Sequence, residues 1–222
     1  MSHFLLRNKR LQVATLIFIL SLGISGNQVM NPELGIAASG ILSEEKYKEH
    51  DVISIDGNGD FLSQCVSEGW LGTGCEDDPI RISAYRIRQA RHLIRIINTD
   101  IHFILSDLSL DGIDRTWCGL YFHNVTNGII RNTAVENSAI AFHLVDIHNC
   151  TFFENSLHDN RNEGIVLELP CSGNIIMNNH IFDNDKSGIV LDYGCQNNNI
   201  THNRIHDNKA NGIYLWQYIS QP

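Results

Sequence analysis

The chain has 222 residues, of which 43% are hydrophobic, and this suffices for one sizeable domain with a core of its own. Its 25 acidic residues outnumber the 16 lysines and arginines, which gives a net charge of −9. Nucleic acids are bound through clustered Lys and Arg side chains, so this balance argues against a nucleic-acid partner.

The first residues have the pattern of an export signal. Arg7, Lys9 and Arg10 precede LQVATLIFILSLGI, an uncharged apolar stretch at 11–24. A stretch of this length is typical of a secretory signal, whereas a membrane-spanning helix needs about 20 residues. Residues 1–26 are therefore predicted to be a signal peptide or, alternatively, an uncleaved N-terminal membrane anchor. Either one would place the rest of the chain outside the cytoplasm, secreted or on the cell surface.

Two segments without a clear repeat follow. Residues 27–50 are interpreted as a linker, and residues 51–79 as a first strand followed by a loop rich in glycine and cysteine. Between strand and loop, DGNGD is predicted to form a tight turn. Its residues Asp56, Asn58 and Asp60 have the spacing of the first half of a calcium loop. The glycine and the final acid of such a loop are missing, so calcium is only the alternative.

Four of the six cysteines are candidates for disulfides, which an extracytoplasmic location permits. Cys65 and Cys75 bracket the loop CVSEGWLGTGC, and their disulfide would close it. Cys171 and Cys195 are 24 residues apart, the same spacing as the repeat described next. Stacking of the repeats would place their Cα atoms about 5 Å apart, within disulfide range. Free thiols are the alternative in both cases.

A period of 24 residues dominates the C-terminal half of the chain. The pentapeptides GIVLE, GIVLD and GIYLW begin at residues 164, 188 and 212. An earlier copy, one residue shorter, runs from Ile129 to Leu144, and CGLYF at 118–122 is related to the pentapeptide. Four further columns share the period: Phe152, Ile176 and Ile200; Leu157, Ile181 and Ile205; Asn155, Asn179 and Asn203; Asn160, Asn184 and Asn208.

This repeat predicts an all-β solenoid. Its apolar segments are only three to five residues long, too short for helices, and their side chains alternate as in strands. Such short strands bury a core only when neighbouring copies stack. The prediction is a parallel β-helix over residues 80–222, with about six coils of 22–25 residues. Glycine and asparagine are assigned to left-handed corner positions, and stacked asparagine amides are expected to hydrogen-bond to one another.

The pattern N-x-I-x-x-N-x-x-x-G-I-x-L, as in RIHDNKANGIYL, resembles the repeat of the right-handed parallel β-helix, pectin-lyase-like superfamily. Within that superfamily the chain resembles the copper-site accessory proteins of the NosD type and prokaryotic surface β-helix proteins. The resemblance implies the fold and its handedness. It leaves activity open, because the superfamily includes lyases, hydrolases, epimerases, binding proteins and structural proteins.

Two outward acids are the candidate catalytic residues. Glu168 and Asp192 occupy equivalent positions in consecutive coils, near the separation that suits retaining glycoside hydrolysis. The alternative is a pair of solvated acids at strand ends. The catalytic signatures of polygalacturonases, pectate lyases and mannuronan epimerases are incomplete or absent, so the sequence favours a protein that is not an enzyme.

Two histidines are the candidate metal ligands. His180 and His206 are predicted to be diagonal neighbours on one sheet, where their imidazoles could share a copper ion. Arg204 in the same region would repel a cation, and ordinary exposed histidines are the alternative.

Three aromatic residues on the last strand, Tyr214, Trp216 and Tyr218, are the candidate ligand-binding residues. They alternate outward and would stack against sugar rings; alternatively, they cover the end of the solenoid. The sequence thus predicts an exported binding or display module, with a polysaccharide or cell-surface glycan as the leading ligand. A polysaccharide lyase or hydrolase and a NosD-like copper accessory protein are the two alternatives.

Overall fold

The computed structural model describes residues 46–168 and 170–216. The predicted signal or anchor segment and most of the predicted linker lie outside these residues. The described elements, in chain order, are β1 Lys48–Glu49, β2 Ile53–Asp56, α1 Gly57–Glu68, β3 Ile80–Ser83, β4 Tyr85–Arg88, β5 Ile94–Thr99, β6 Phe103–Ser106, β7 Ser109–Asp111, β8 Leu120–Thr126, β9 Gly128–Arg131, β10 Ala134–Glu136, β11 Phe142–His148, β12 Thr151–Phe153, β13 Ser156–His158, β14 Ile165–Glu168, β15 Ile175–Met177, β16 His180–Phe182, β17 Ile189–Leu191, β18 Asn199–Thr201, β19 Arg204–His206 and β20 Ile213–Leu215.

The strands form three parallel sheets, and each turn of the chain adds one strand to each sheet. Sheet 1 has the order β1-β4-β7-β10-β13-β16-β19, and sheet 2 the order β2-β5-β8-β11-β14-β17-β20. Sheet 3 has six strands, in the order β18-β15-β12-β9-β6-β3. This is a β-solenoid of about six turns, which confirms the predicted fold class.

The core consists of stacked columns of apolar side chains. Ile165 pairs with Ile189 and Leu167 with Leu191, in the register that the 24-residue period predicts. In the middle coils these side chains are fully buried, whereas Ile213 and Leu215 of the last coil are 48% and 58% exposed. In the shorter earlier copy the strand register differs by one residue from the predicted one. Ile130, rather than Ile129, pairs with Phe152.

At the corners that carry asparagine, one residue turns the backbone and the next residue forms the hydrogen bonds between coils. One residue has a left-handed backbone, such as Glu154 (φ 56°) or Asp183 (φ 53°), and the next is an asparagine whose side chain points inward. These asparagines form the predicted ladders: the Asn155 amide donates to Asn179 Oδ1 at 2.9 Å, and the equivalent bond from Asn160 to Asn184 is also 2.9 Å.

The glycines of the pentapeptides have a different role from the predicted one. Gly164 and Gly188 are absent from the left-handed positions, which Asp and Asn mostly occupy. A Cβ on Gly188 would lie 2.5 Å from Ile205 Cγ2 and 2.7 Å from the carbonyl oxygen of Gly212. Glycine is therefore needed here because adjacent coils approach too closely for any side chain.

The turn predicted at DGNGD is instead the first turn of helix α1. Phe61 and Cys65, four residues apart on one helix face, are buried against the first coil. The oxygens that would bind calcium have other partners: Asn58 Oδ1 accepts from Thr99 Oγ1 at 2.7 Å, and Asp60 Oδ2 accepts from the Asp56 backbone N–H at 2.9 Å. Calcium at this segment stays a prediction. No helix in the described part of the chain is long and apolar enough to span a membrane.

Candidate functional site

Polar and aromatic side chains interrupt the aliphatic pattern on the outer face of sheet 2. Strand register places Arg95, Tyr121 and His143 side by side on three successive coils. Neighbouring strands are about 4.8 Å apart, so these three groups form a continuous row. Further along the same column lie Val166, Val190 and Tyr214.

One end of this row opens into a cleft of about 260 Å³. The cleft lies where β2 and β5 meet the loops that precede β5 and β8. Its lining residues are Val52, Ser54, Arg91, His92, Arg95 and Trp117.

The cleft is locally cationic although the chain is acidic overall. Arg91 and Arg95 have no carboxylate within 4.0 Å among the described residues, whereas Arg86 and Arg88 form ion pairs with acids on neighbouring strands. Burial, followed by the charges of His143 and Arg95, lowers the pKa of His92, so this imidazole is held neutral. Two unpaired guanidinium groups on one wall are suited to carboxylate or other anionic groups of a ligand.

Aromatic rings stand beside these arginines. Trp117 is 48% exposed, and its ring lies 5.0 Å from the His92 ring, edge to face. On its other side the His92 ring stacks on Tyr121, with centroids 5.1 Å apart. An exposed indole beside hydrogen-bonding groups is a surface on which a sugar ring can pack.

His143 and Glu168 form a close pair at the far end of the row. His143 Nε2 lies 3.0 Å from Glu168 Oε1, but the geometry is not that of a hydrogen bond, and Nε2 is buried without a hydrogen-bond partner. On the other side of the ring, Cys118 Sγ lies 3.7 Å from Nδ1. Burial raises the pKa of Cys118 to about 12, so it is present as a neutral thiol.

The two predicted catalytic acids have separate partners in the structure. Register places Glu168 and Asp192 on neighbouring coils, because Leu167 pairs with Leu191. Glu168 is close to His143, and Asp192 Oδ1 accepts from the backbone N–H of Tyr193 at 2.8 Å. Their pairing as two catalytic carboxylates stays a prediction.

The predicted aromatic platform is described in part. Tyr214 and Trp216 are 41% and 58% exposed, and their rings meet edge to face with centroids 6.1 Å apart. Tyr218 lies outside the described residues. The pair is on the last coil, several strands away from the cleft.

The predicted metal ligands do converge. His180 Nε2 lies 2.7 Å from His206 Nε2 on the outer face of sheet 1. Partial burial, then the charge of Arg204, lowers the pKa of His180.

All six cysteines are free thiols in the structure, and both predicted disulfides stay predictions. Cys65 is buried on helix α1, where its thiol donates to the carbonyl of Trp70, whereas Cys75 is exposed; the two therefore face different surroundings. Cys171 and Cys195 do lie on consecutive coils, and the Cys171 thiol lowers the pKa of Cys195 by hydrogen bonding to it. A disulfide between this second pair stays a prediction.

The cleft and the row beside it were missed at the sequence level, although a signal was present. CGLYF is related to the pentapeptide, and the structure aligns Tyr121 and His143 with Val166. Extending the Val166 column backwards along the chain would have found both residues. Arg91, His92 and Trp117 lie in loops outside the period, so no repeat alignment predicts their position.

The family model for the right-handed β-helix region matches residues 53–221. The chain belongs to this family. The match also confirms the predicted right-handed β-helix fold, while membership of the NosD-like group remains a prediction. No protein of curated function matches the chain significantly.

Solved structures similar to this right-handed β-helix include two epimerases. The periplasmic alginate epimerase AlgG is 22% identical, with a TM-score of 0.53, over 65% of this chain and 39% of its own. The A-module of the mannuronan C-5 epimerase AlgE4 from Azotobacter vinelandii is 16% identical, with a TM-score of 0.55, over 75% of this chain and 49% of its own. The chain thus matches less than half of either neighbour, and at these identities the likeness shows the fold alone.

Proposed function

We propose that this β-helix binds an acidic polysaccharide outside the cytoplasm, with the ligand lying along sheet 2 from the cleft toward His143. The observation that carries the proposal is the position of Arg91 and Arg95, which form no ion pair within the described part of the chain, beside the exposed Trp117. Guanidinium groups recognise carboxylates in a bidentate manner, and an indole packs against the apolar face of a sugar ring. The ligand class is therefore a glycan that carries carboxylates.

The shape of the site suits a polymer rather than a small molecule. The cleft opens onto the row of Arg95, Tyr121 and His143, whose members repeat at the strand spacing of about 4.8 Å. A row of this kind offers successive contacts to a chain laid across the strands. The similarity in fold to epimerases named for alginate and mannuronan is consistent with this ligand class.

Substitution of Arg95 tests the proposal. Arg95→Gln removes the charge and keeps a polar side chain, although a shorter one. It is expected to weaken binding of a soluble polyuronate about tenfold or more, because a charge-assisted hydrogen bond contributes about 1.5–3 kcal/mol. Arg131→Gln is the matched control, since Arg131 is an exposed arginine on sheet 3. Titration calorimetry gives both affinities.

Two results would contradict the proposal. One is equal polyuronate affinity of the Arg95→Gln variant and the wild type. The other is a preference of the wild type for a neutral polysaccharide of the same length over the polyuronate.

A second candidate function, an enzyme acting on the bound polysaccharide, is favoured by the order of groups in the row. Removal of a proton next to a carboxylate requires a cation on that carboxylate, a base and an acid. Arg95 is suited to the first role, the half-exposed Glu168 beside His143 to the second, and Tyr121, which lies between Arg95 and His143, to the third.

Product analysis tests this candidate. Polyuronate incubated with the protein is expected to gain a double bond or change its uronate composition, as measured by absorbance and NMR. Tyr121→Phe is expected to abolish the change while the affinity stays within about threefold. Unaltered polymer would exclude the activity, and turnover that is lost in Asp192→Asn but kept in Tyr121→Phe would favour paired carboxylates instead.

A further inference from the structure

Two imidazoles on the outer face of sheet 1 point at the same place. His180 belongs to β16 and His206 to β19, and the register sets them diagonally, because His180 pairs with Arg204 and Phe182 pairs with His206. Their Nε2 atoms are 2.7 Å apart, and both rings are half-buried. Since each ring presents the same nitrogen, the pair is either bridged by a proton or poised to share a cation.

Each ring is held in this orientation by neighbours on the same face. Phe182 stacks on both, with centroid distances of 4.3 Å to His180 and 5.5 Å to His206. His206 Nδ1 lies 2.7 Å from Asp207 Oδ2, so the proton is placed on Nδ1 and the lone pair of Nε2 faces His180. A carboxylate on the distal nitrogen is the arrangement that orients metal-binding histidines and increases their basicity.

The distance between the two nitrogens nearly matches that of two adjacent metal ligands. Metal–imidazole bonds are about 2.0–2.1 Å long, so two of them at a right angle separate the nitrogens by about 2.9 Å. Opening the pair by a few tenths of an ångström from 2.7 Å is enough, and neither ring is locked in a fully buried core. Right-angle coordination by imidazole is typical of square-planar copper(II) and nickel(II).

We propose that His180 and His206 together bind one copper(II) or nickel(II) ion, with water in the remaining positions. The ion replaces the proton between the two rings, and that proton is released to solvent. Arg204 lies beside His180 on the neighbouring strand, so the two imidazoles bind the cation against the charge of this guanidinium group. This site is on a different sheet from the polysaccharide cleft, so metal binding here does not depend on the proposed function.

A second group of possible metal ligands on the same sheet is the alternative binding site for the ion. Glu136, His158 and Asp159 have ligand atoms within 4.8 Å of one another. In that group His158 Nδ1 already bonds to Asp159 Oδ2 at 2.8 Å, so one histidine nitrogen and one carboxylate oxygen satisfy each other. Its carboxylates also favour harder cations than copper(II).

Metal titration of the full chain tests the assignment. Copper(II) is added to apo-protein and followed by calorimetry and electron paramagnetic resonance, with calcium as the hard-cation comparison. We expect one equivalent of copper(II) to bind with a spectrum of two coordinated nitrogens. The affinity should fall at least tenfold in His180→Ala and in His206→Ala, and about tenfold in Asp207→Asn.

Two matched controls separate the sites. His202→Ala removes an exposed histidine on a neighbouring corner, and Glu136→Gln disables the rival group; both should keep the wild-type affinity. Unchanged copper binding in His180→Ala, or its loss in Glu136→Gln, would overturn the proposal. His180→Gln, which keeps a polar side chain of similar reach, distinguishes a lost ligand from a lost fold, because it should melt like wild type and still lose copper.

Discussion

Backbone geometry decides which residue types occupy the corners of this solenoid. At positions such as Asp159 and Asp183 the chain turns through a left-handed conformation, which Asp and Asn tolerate better than most residues. At Gly188 the conformation is ordinary and the restriction is space, since the carbonyl of the next coil passes directly over it. Asp or Asn and Gly thus both mark corners in the sequence, but for different reasons. The first two are favoured by the backbone conformation, and glycine is required by the lack of space.

Substitution of equivalent glycines separates these limits. Gly188→Ala is expected to lower the free energy of unfolding by about 1–3 kcal/mol, because its Cβ would meet Ile205 and the Gly212 carbonyl and the coils would have to move apart. Gly212→Ala is the control, since the nearest atom would be 3.8 Å away. Denaturant titration measures both. Equal losses in the two variants would show that close approach is not the reason for glycine.

The buried asparagine ladders link one coil to the next. Asn179 is 1% exposed; its amide donates to the Phe152 carbonyl at 2.9 Å and its oxygen accepts from the Asn155 backbone N–H at 3.0 Å. Each such residue therefore satisfies backbone groups of the preceding corner that the short strands leave unpaired. In the earlier coil Thr133 and Ser138 occupy these positions, and their backbone N–H groups donate to the asparagines of the next coil.

Removal of one ladder residue is predicted to be costly. Asn179→Ala should destabilise the protein by about 2 kcal/mol or more, because buried donors and acceptors on both sides lose their partner at about 1–3 kcal/mol each. Asn178→Gly is the control: Asn178 has a left-handed φ of 55°, which glycine adopts without strain, so the change should stay within about 1 kcal/mol. Thermal and denaturant unfolding compare the two, and similar losses would argue against a role for the ladder.

Helix α1 is an element that local residue propensities do not predict. Asp56, Gly57 and Asn58 are turn-forming residues, and on propensity they predict a turn. The helix forms because Phe61 and Cys65 are buried together against the first coil, with the Phe61 ring 5.3 Å from Phe103. Tertiary burial here outweighs local preference.

At the scale of the whole molecule, stacking turns sequence distance into proximity. Arg95, Tyr121 and His143 are separated along the chain by more than 20 residues at each step, yet they occupy adjacent rungs of one sheet. Any outward side chain in one coil is thereby about 4.8 Å from its counterparts in the next. A binding row on such a scaffold needs only a few substitutions at equivalent positions, while the core columns stay unchanged.

The 24-residue period, the alternating apolar residues and the recurring asparagines are enough to predict the strands and the ladders. They also predict the register, except in the earliest copy, which is displaced by one residue. These features recur in the sequence because equivalent residues of successive coils occupy equivalent positions in the structure. The three-dimensional structure alone decided the cleft of Arg91, His92 and Trp117, the carboxylate of Glu168 beside His143, and the helix over the first coil. Those contacts are made by loops of irregular length and by side chains outside the repeat. Which of these groups meet depends on interatomic distances, and the repeat does not encode them.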